Sequence, residues 1–145
     1  MSVLLALWIV GVMPISARPR AKRVVMIALD GISVPGFTTA HTPNLDNLLA
    51  QGALSLTTRV VMPSVTLPNW TSHLTGSGPE QHGVVDNGWQ IDKKGFPAVE
   101  IDKEGYYPSV FKVMKEEIPE CKTAFYYNWI NLFYPYNKKY LDEVS

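Results

Sequence analysis

Six consecutive apolar residues, Val24 to Leu29, stop abruptly at Asp30-Gly31, and this stop constrains the fold more than any other feature of the chain. A strand with one wet face alternates apolar and polar residues. An unbroken run of this length fits a strand covered on both faces, as in a parallel sheet. Ligands of open α/β sheets sit beyond the carboxyl ends of the strands, and Asp30 occupies that end. Its carboxylate suits either of two tasks, capping a turn at Gly31 or holding a hard or borderline cation.

The remaining pattern alternates helix and strand signals. Thr42-Pro43 opens a helix with Leu45, Leu48 and Leu49 on one face, closed by Gly52. Ala53 to Val61 reads as a strand. Pro108 to Ile118 places Val110, Phe111, Val113 and Met114 at helical spacing, with Pro119 as the stop. Lys122 to Tyr127 follows as a strand, and Asp92 to Gly105 reads as an exposed excursion. The alternation predicts an α/β fold with parallel strands and right-handed crossovers.

Thr66 and Asn87 carry the most chemical interest. Thr66 is a good N-cap, Leu67-Pro68 fits the first helical turn, and Gly76 ends that helix. The free N–H groups and the dipole of a helix N-terminus also attract anions. A threonine there is a weak nucleophile until a base or metal activates it. Asn87 lies twenty-one residues later, in Asp86-Asn87-Gly88 between apolar flanks, a strong hairpin signal. Its NH₂ is equally suited to donate to a phosphoryl oxygen. A carboxylate, a hydroxyl and an amide of this kind can together grip a metal and a phosphate.

Asp30-Gly31, Thr66-Leu67-Pro68-Asn69 and Leu74-Thr75-Gly76 through Asn87 resemble, in that order, the first part of the catalytic domain of nucleotide pyrophosphatase/phosphodiesterases, members of the alkaline phosphatase superfamily. The resemblance is good from Val24 to Trp89 and looser beyond. It implies an alkaline-phosphatase-like sandwich, a mostly parallel central sheet flanked by helices, of which residues 18–145 would be the N-terminal portion. It further implies that Asp30 is a zinc ligand, Thr66 both nucleophile and zinc ligand, and Asn87 a phosphate-binding residue. Two zinc ions would serve hydrolysis of a small phosphodiester or nucleotide through a phospho-threonine. Trp70 stands where family members often have His. The family's other zinc ligands, Asp and His residues far downstream, have no counterpart before Ser145, so the 145-residue chain by itself is expected to be inactive and poorly soluble. Sulfatases, which need Cys or Ser at the nucleophile, fit less well. Phosphonoacetate hydrolases, which also use threonine, phosphomonoesterases of the superfamily, and an inert fragment are the alternatives.

Composition narrows the classes. Thirteen basic and thirteen acidic residues cancel, which argues against a broad nucleic-acid footprint. Val3 to Met13 is apolar but far short of the roughly 20 residues that span a bilayer, so residues 1–17 read as a signal peptide and the protein as exported. Membrane contact is expected only through that segment. Arg18, Arg20, Lys22 and Arg23 follow the apolar run instead of preceding it. The single Cys121 allows no internal disulfide and reads as a small packing residue. His41, His73 and His82 read as structural or solvated, and the aromatics from Phe125 to Tyr136 as core and interface.

Overall fold

The structure, a computed structural model, describes residues 22–93 and 95–145. The signal segment predicted for residues 1–17 lies outside the described residues. The chain divides at Gly31/Ile32 into two units, each taken by itself.

In the first unit, Val24 to Leu29 forms no strand and its side chains are exposed, Val24 to 83% and Ile27 to 81%. The buried parallel strand expected here is not formed. A doubly covered strand needs a ladder partner at its side and apolar cover on both faces, and the described residues provide neither.

The second unit is α/β, with helices and one small parallel sheet. Helix α1 (Val34–Thr39) was not anticipated; Ser33 caps it, accepting the Gly36 N–H. Helix α2 (Pro43–Leu49) forms as expected behind Thr42. Of its apolar face, Leu45 and Leu49 are half-buried and Leu48 is exposed. Residues 53–61, expected as a strand, are irregular and almost entirely exposed. Alternation alone did not suffice there, because no neighbouring strand satisfies the backbone.

Helix α3 (Thr66–Thr75) is the centre of the unit. Leu67, Pro68, Thr71 and Leu74 are its buried residues, a stripe at helical spacing. Leu67 packs in one cluster with Val84 and Trp89, flanked by Ile91, Trp129, Leu132 and Tyr134. Leu74 belongs to a second cluster with Phe111 and Tyr136, bordered by Phe125, Tyr140 and Leu141. Gly76 ends the helix with φ +68°, a left-handed cap that favours glycine. Helix α4 (Pro79–His82) follows and ends likewise at Gly83, φ +75°.

Helix α5 (Val110–Glu117) buries Phe111. Strand β1 (Ala124–Phe125) lies parallel to β2 (Glu143–Val144), with Ala124 opposite Glu143. Strand β1 is the centre of the segment expected as Lys122–Tyr127. Asp142 fastens the pair, accepting from Lys115, Lys122 and the Thr123 N–H. Lys115 above all, with Thr123 and Lys122, holds this carboxyl far below the ordinary carboxylate range. Of the aromatics, Phe133 and Tyr136 are core, Phe125, Tyr127, Trp129 and Tyr134 are half-buried, and Tyr126 is exposed. Tyr127 stacks on Phe133 at 5.5 Å, and Phe125 meets Tyr136 edge-on at the same distance. Cys121 is half-buried, its thiol 3.5 Å from the Met114 carbonyl. The loop 92–105 is mostly exposed yet anchored, since Asp102 accepts from the N–H groups of Glu104 and Tyr106 and from the Asn137 amide.

Candidate functional site

The start of α3 leaves its donors unevenly satisfied. Four backbone N–H groups at a helix N-terminus lack intrahelical partners. Here Pro68 has none to offer, and the Asn69 N–H reaches the Val65 carbonyl at 3.4 Å. The Leu67 N–H donates to Asn87 Oδ1 at 2.8 Å. The Thr66 N–H has no partner among the described residues, and neither does the Thr66 hydroxyl.

This corrects the capping role expected for Thr66. Val65, extended at φ −125° and ψ 163°, is the N-cap residue, and it makes no side-chain cap. Thr66 is the first helical residue. The cap comes instead from Asn87, twenty positions beyond Leu67, so structure brings the two candidates together where sequence only spaced them. Thr66 is half-buried, with its hydroxyl unengaged.

The Asn87 amide can be oriented from its contacts. A backbone N–H can donate only to the amide oxygen, so Oδ1 faces Leu67 and Nδ2 is turned away. Nδ2 has no partner among the described residues, and Asn87 is exposed. The hairpin expected around it does not form. Residues 86–88 make an Asx turn instead, with Asp86 Oδ1 accepting the Gly88 N–H at 2.7 Å and no strands flanking it. Asn131 Nδ2 donates to the Asn87 carbonyl at 2.8 Å, tying the turn to the 3₁₀ segment Ile130–Phe133.

Asn69 holds the approach to the helix. Its Oδ1 accepts the Val61 N–H at 2.9 Å, and its Nδ2 donates to the carbonyls of Val65 at 2.8 Å and Pro63 at 3.3 Å. Asn69 lies in the motif Thr66-Leu67-Pro68-Asn69, yet nothing in the sequence points to its task, because its partners are main-chain groups of an irregular segment. Asn131 had no signal at all.

The histidines do not converge on this site. His82 is buried, and its Nδ1 accepts the Val84 N–H at 3.0 Å. That contact leaves the ring proton on Nε2, which donates to Ser72 Oγ at 3.0 Å. The pair is therefore not a base and its nucleophile but a neutral strut between α3 and α4. Burial lowers the His82 pKa to about 4, against a weaker upward pull from Glu80. His73 Nδ1 lies 2.8 Å from the Asn69 carbonyl one turn back, and its ring is 5.3 Å from that of Trp70 on the same helix. His41 is exposed.

Asp30 lies in the first unit, its Oδ1 accepting the Gly31 N–H at 2.8 Å, the turn-capping alternative. Among the described residues no three His, Cys, Asp or Glu side chains converge as a metal site. The oxygen donors expected for a metal, the Asp30 carboxylate and the Thr66 hydroxyl, lie in different units, and each is described only within its own. A groove of about 330 Å³ beside Ile91, Tyr106, Phe133 and Lys138 does not include Thr66 or Asn87. No described helix is long and apolar enough to cross a membrane.

Comparison with known proteins gives a consistent result. The family profile for type I phosphodiesterase / nucleotide pyrophosphatase matches residues 24–140. An ectonucleotide pyrophosphatase/phosphodiesterase family member 3 of Mus musculus is 35% identical over 66 residues, 44% of this chain and 8% of its own length. A bis(5'-adenosyl)-triphosphatase of the same species is 30% identical over 83 residues, 56% of this chain and 18% of its own. A venom phosphodiesterase of Macrovipera lebetinus is 23% identical over 148 residues, 75% of this chain and 17% of its own. The chain thus spans less than a fifth of the length of each of these relatives. No solved structure matches it significantly.

Proposed function

The chain belongs to the type I phosphodiesterase / nucleotide pyrophosphatase family, and on that premise we propose that it carries the nucleophile and the phosphate-binding groups of a phosphodiester or pyrophosphate hydrolase. One observation supports this reading best: the Leu67 N–H fixes the Asn87 amide at the start of α3, beside a Thr66 hydroxyl and a Thr66 N–H that have no partner among the described residues. A reactive oxygen and outward-turned donors share one helix end.

In this reading Thr66 Oγ attacks phosphorus in line, expelling the alcohol or phosphate leaving group and forming a phospho-threonine. Water then attacks that phosphorus and regenerates the hydroxyl. Asn87 Nδ2 and the Thr66 N–H donate to the non-bridging oxygens as charge develops there, aided by the positive end of α3. A diester presents two such oxygens and a monoester dianion three, so this donor count favours diesters and pyrophosphates.

The zinc expectation belongs to the same proposal. Asp30 and Thr66 each offer an oxygen donor of suitable chemistry, and a zinc ion held at Thr66 would lower the pKa of its hydroxyl, to which no described residue hydrogen-bonds as a base. We also propose that residues 18–145 form part of an alkaline-phosphatase-like sandwich and that the protein is exported. The names of the ectonucleotide and venom relatives agree with export. Small nucleotides or other phosphodiesters are the proposed substrates.

The test is turnover and melting temperature measured together on the Thr66→Ala and Thr66→Ser variants of the full-length protein. With bis-p-nitrophenyl phosphate, Thr66→Ala should lose turnover with little change in melting, since no described residue hydrogen-bonds the hydroxyl, while Thr66→Ser keeps part of the rate. An active Thr66→Ala variant ends the nucleophile assignment. A preference for p-nitrophenyl phosphate or phosphonoacetate moves the function to the phosphomonoesterase or phosphonoacetate hydrolase reading.

A further inference from the structure

We propose that Asn69 is a positioning residue that aims the Thr66 N–H, one of the donors assigned above to the phosphoryl oxygens; the inference rests on that reading of the site. A peptide unit is planar and almost always trans, so its C=O and N–H point in opposite directions within one plane. The carbonyl of Val65 and the N–H of Thr66 belong to the same unit. Whatever fixes the first therefore aims the second.

Asn69 fixes it twice. Its own N–H reaches the Val65 carbonyl only at 3.4 Å, whereas its side-chain Nδ2 reaches the same oxygen at 2.8 Å. The closer contact is made by the side chain. Nδ2 also donates to the Pro63 carbonyl at 3.3 Å, and Oδ1 accepts the Val61 N–H at 2.9 Å. That last contact orients the amide without ambiguity, because only the oxygen can accept. The segment it clamps, residues 61–65, is not in a helix or strand, so this side chain replaces a missing ladder. Val65 supplies no side-chain cap of its own. One residue on the first turn of α3 thus takes up three main-chain groups of the entering loop and leaves the Thr66 N–H pointing outward.

The geometry requires that Asn69 act on the rate through Thr66 and not on substrate affinity. The experiment uses the full-length protein with Asn69→Ala, and with Asn69→Asp as a second variant that keeps the acceptor for Val61 but replaces the donor facing Val65 and Pro63. Two readouts are taken: kcat and KM on bis-p-nitrophenyl phosphate, and backbone amide hydrogen exchange across residues 61–67. Expected are a kcat lowered at least tenfold in both variants, a KM within about threefold for Asn69→Ala, and faster exchange at Val61 in Asn69→Ala, whose acceptor is lost, with exchange at Thr71 and Leu74 unchanged. Comparing kcat at saturating substrate removes the effect of the aspartate's charge on substrate affinity, and Asn69→Ala introduces no charge at all. A folded variant with kcat within twofold of wild type overturns the proposal, as does unchanged exchange across residues 61–67. If turnover proves independent of Thr66, the hydrolase reading fails, and the exchange measurement alone decides whether Asn69 holds the loop.

Discussion

Acid should destabilise this chain through His82, and the size of the effect can be worked out. His82 is 2% exposed, with Nδ1 accepting from Val84 and Nε2 donating to Ser72. Protonation would put a second N–H where the Val84 N–H already points. In the folded chain its pKa is lowered from 6.5 to about 4, chiefly by burial. Between these values the unfolded chain binds a proton that the folded one refuses, so stability is complete above pH 6.5, falls as pH drops through this window, and levels off below about 4. At about 1.4 kcal/mol per tenfold change, the loss between pH 7.5 and 4.5 is about 2.5 kcal/mol. This is a large fraction of the 5–15 kcal/mol that holds a typical domain together. The assay is urea unfolding at the two pH values for wild type and His82→Asn. The asparagine places an acceptor near the Nδ1 position but cannot titrate. Wild type should lose about 2.5 kcal/mol more than the variant on acidification. Equal losses in the two proteins would refute the argument.

Three further outcomes follow from the geometry. Asn87→Ala removes the cap on Leu67 and a donor at the site, and should lower stability by about 1 kcal/mol and turnover of the full-length protein by about 10²–10³-fold; thermal melts and steady-state rates check both. Asn87→Asp keeps the Leu67 acceptor, so it should recover the melting temperature while the rate stays low. Gly83→Ala should destabilise by more than about 1 kcal/mol, because φ is +75° and the new Cβ would sit 2.6 Å from the Phe96 carbonyl; a melting temperature equal to wild type would refute the close approach.

The parts legible in the sequence were the local ones. The helix opening at Leu67-Pro68 with its Gly76 stop, the α5 periodicity ending before Pro119, and the Thr42-Pro43 start are each determined within a few residues, and each formed. Val24 to Leu29 and Ala53 to Val61 depend on partners remote in sequence, and pattern alone did not pair them. The site divides along the same line. Thr66 and Asn87 stand out by residue type, but their meeting at Leu67 is a contact across twenty positions. The misassigned cap shows the limit well: Thr66 has the right chemistry, yet the extended Val65 moves the helix start by one residue and passes capping to Asn87. Asn69 and Asn131 escaped notice because their partners are backbone atoms, which sequence does not distinguish.

Helix α3 is shared by both apolar clusters, Leu67 in one and Leu74 in the other. A rod seated in two sockets cannot leave one without straining the other. Local opening elsewhere in a protein can be nearly free, but opening here carries the loss of both sockets at once. The candidate nucleophile therefore sits at the end of the element whose unfolding is most nearly that of the whole second unit. The exposed segment 53–60 of the same unit contributes to neither cluster. Opening of that segment need not loosen the grip on Thr66, so precision at the helix end and looseness in the loop before it are compatible within the second unit.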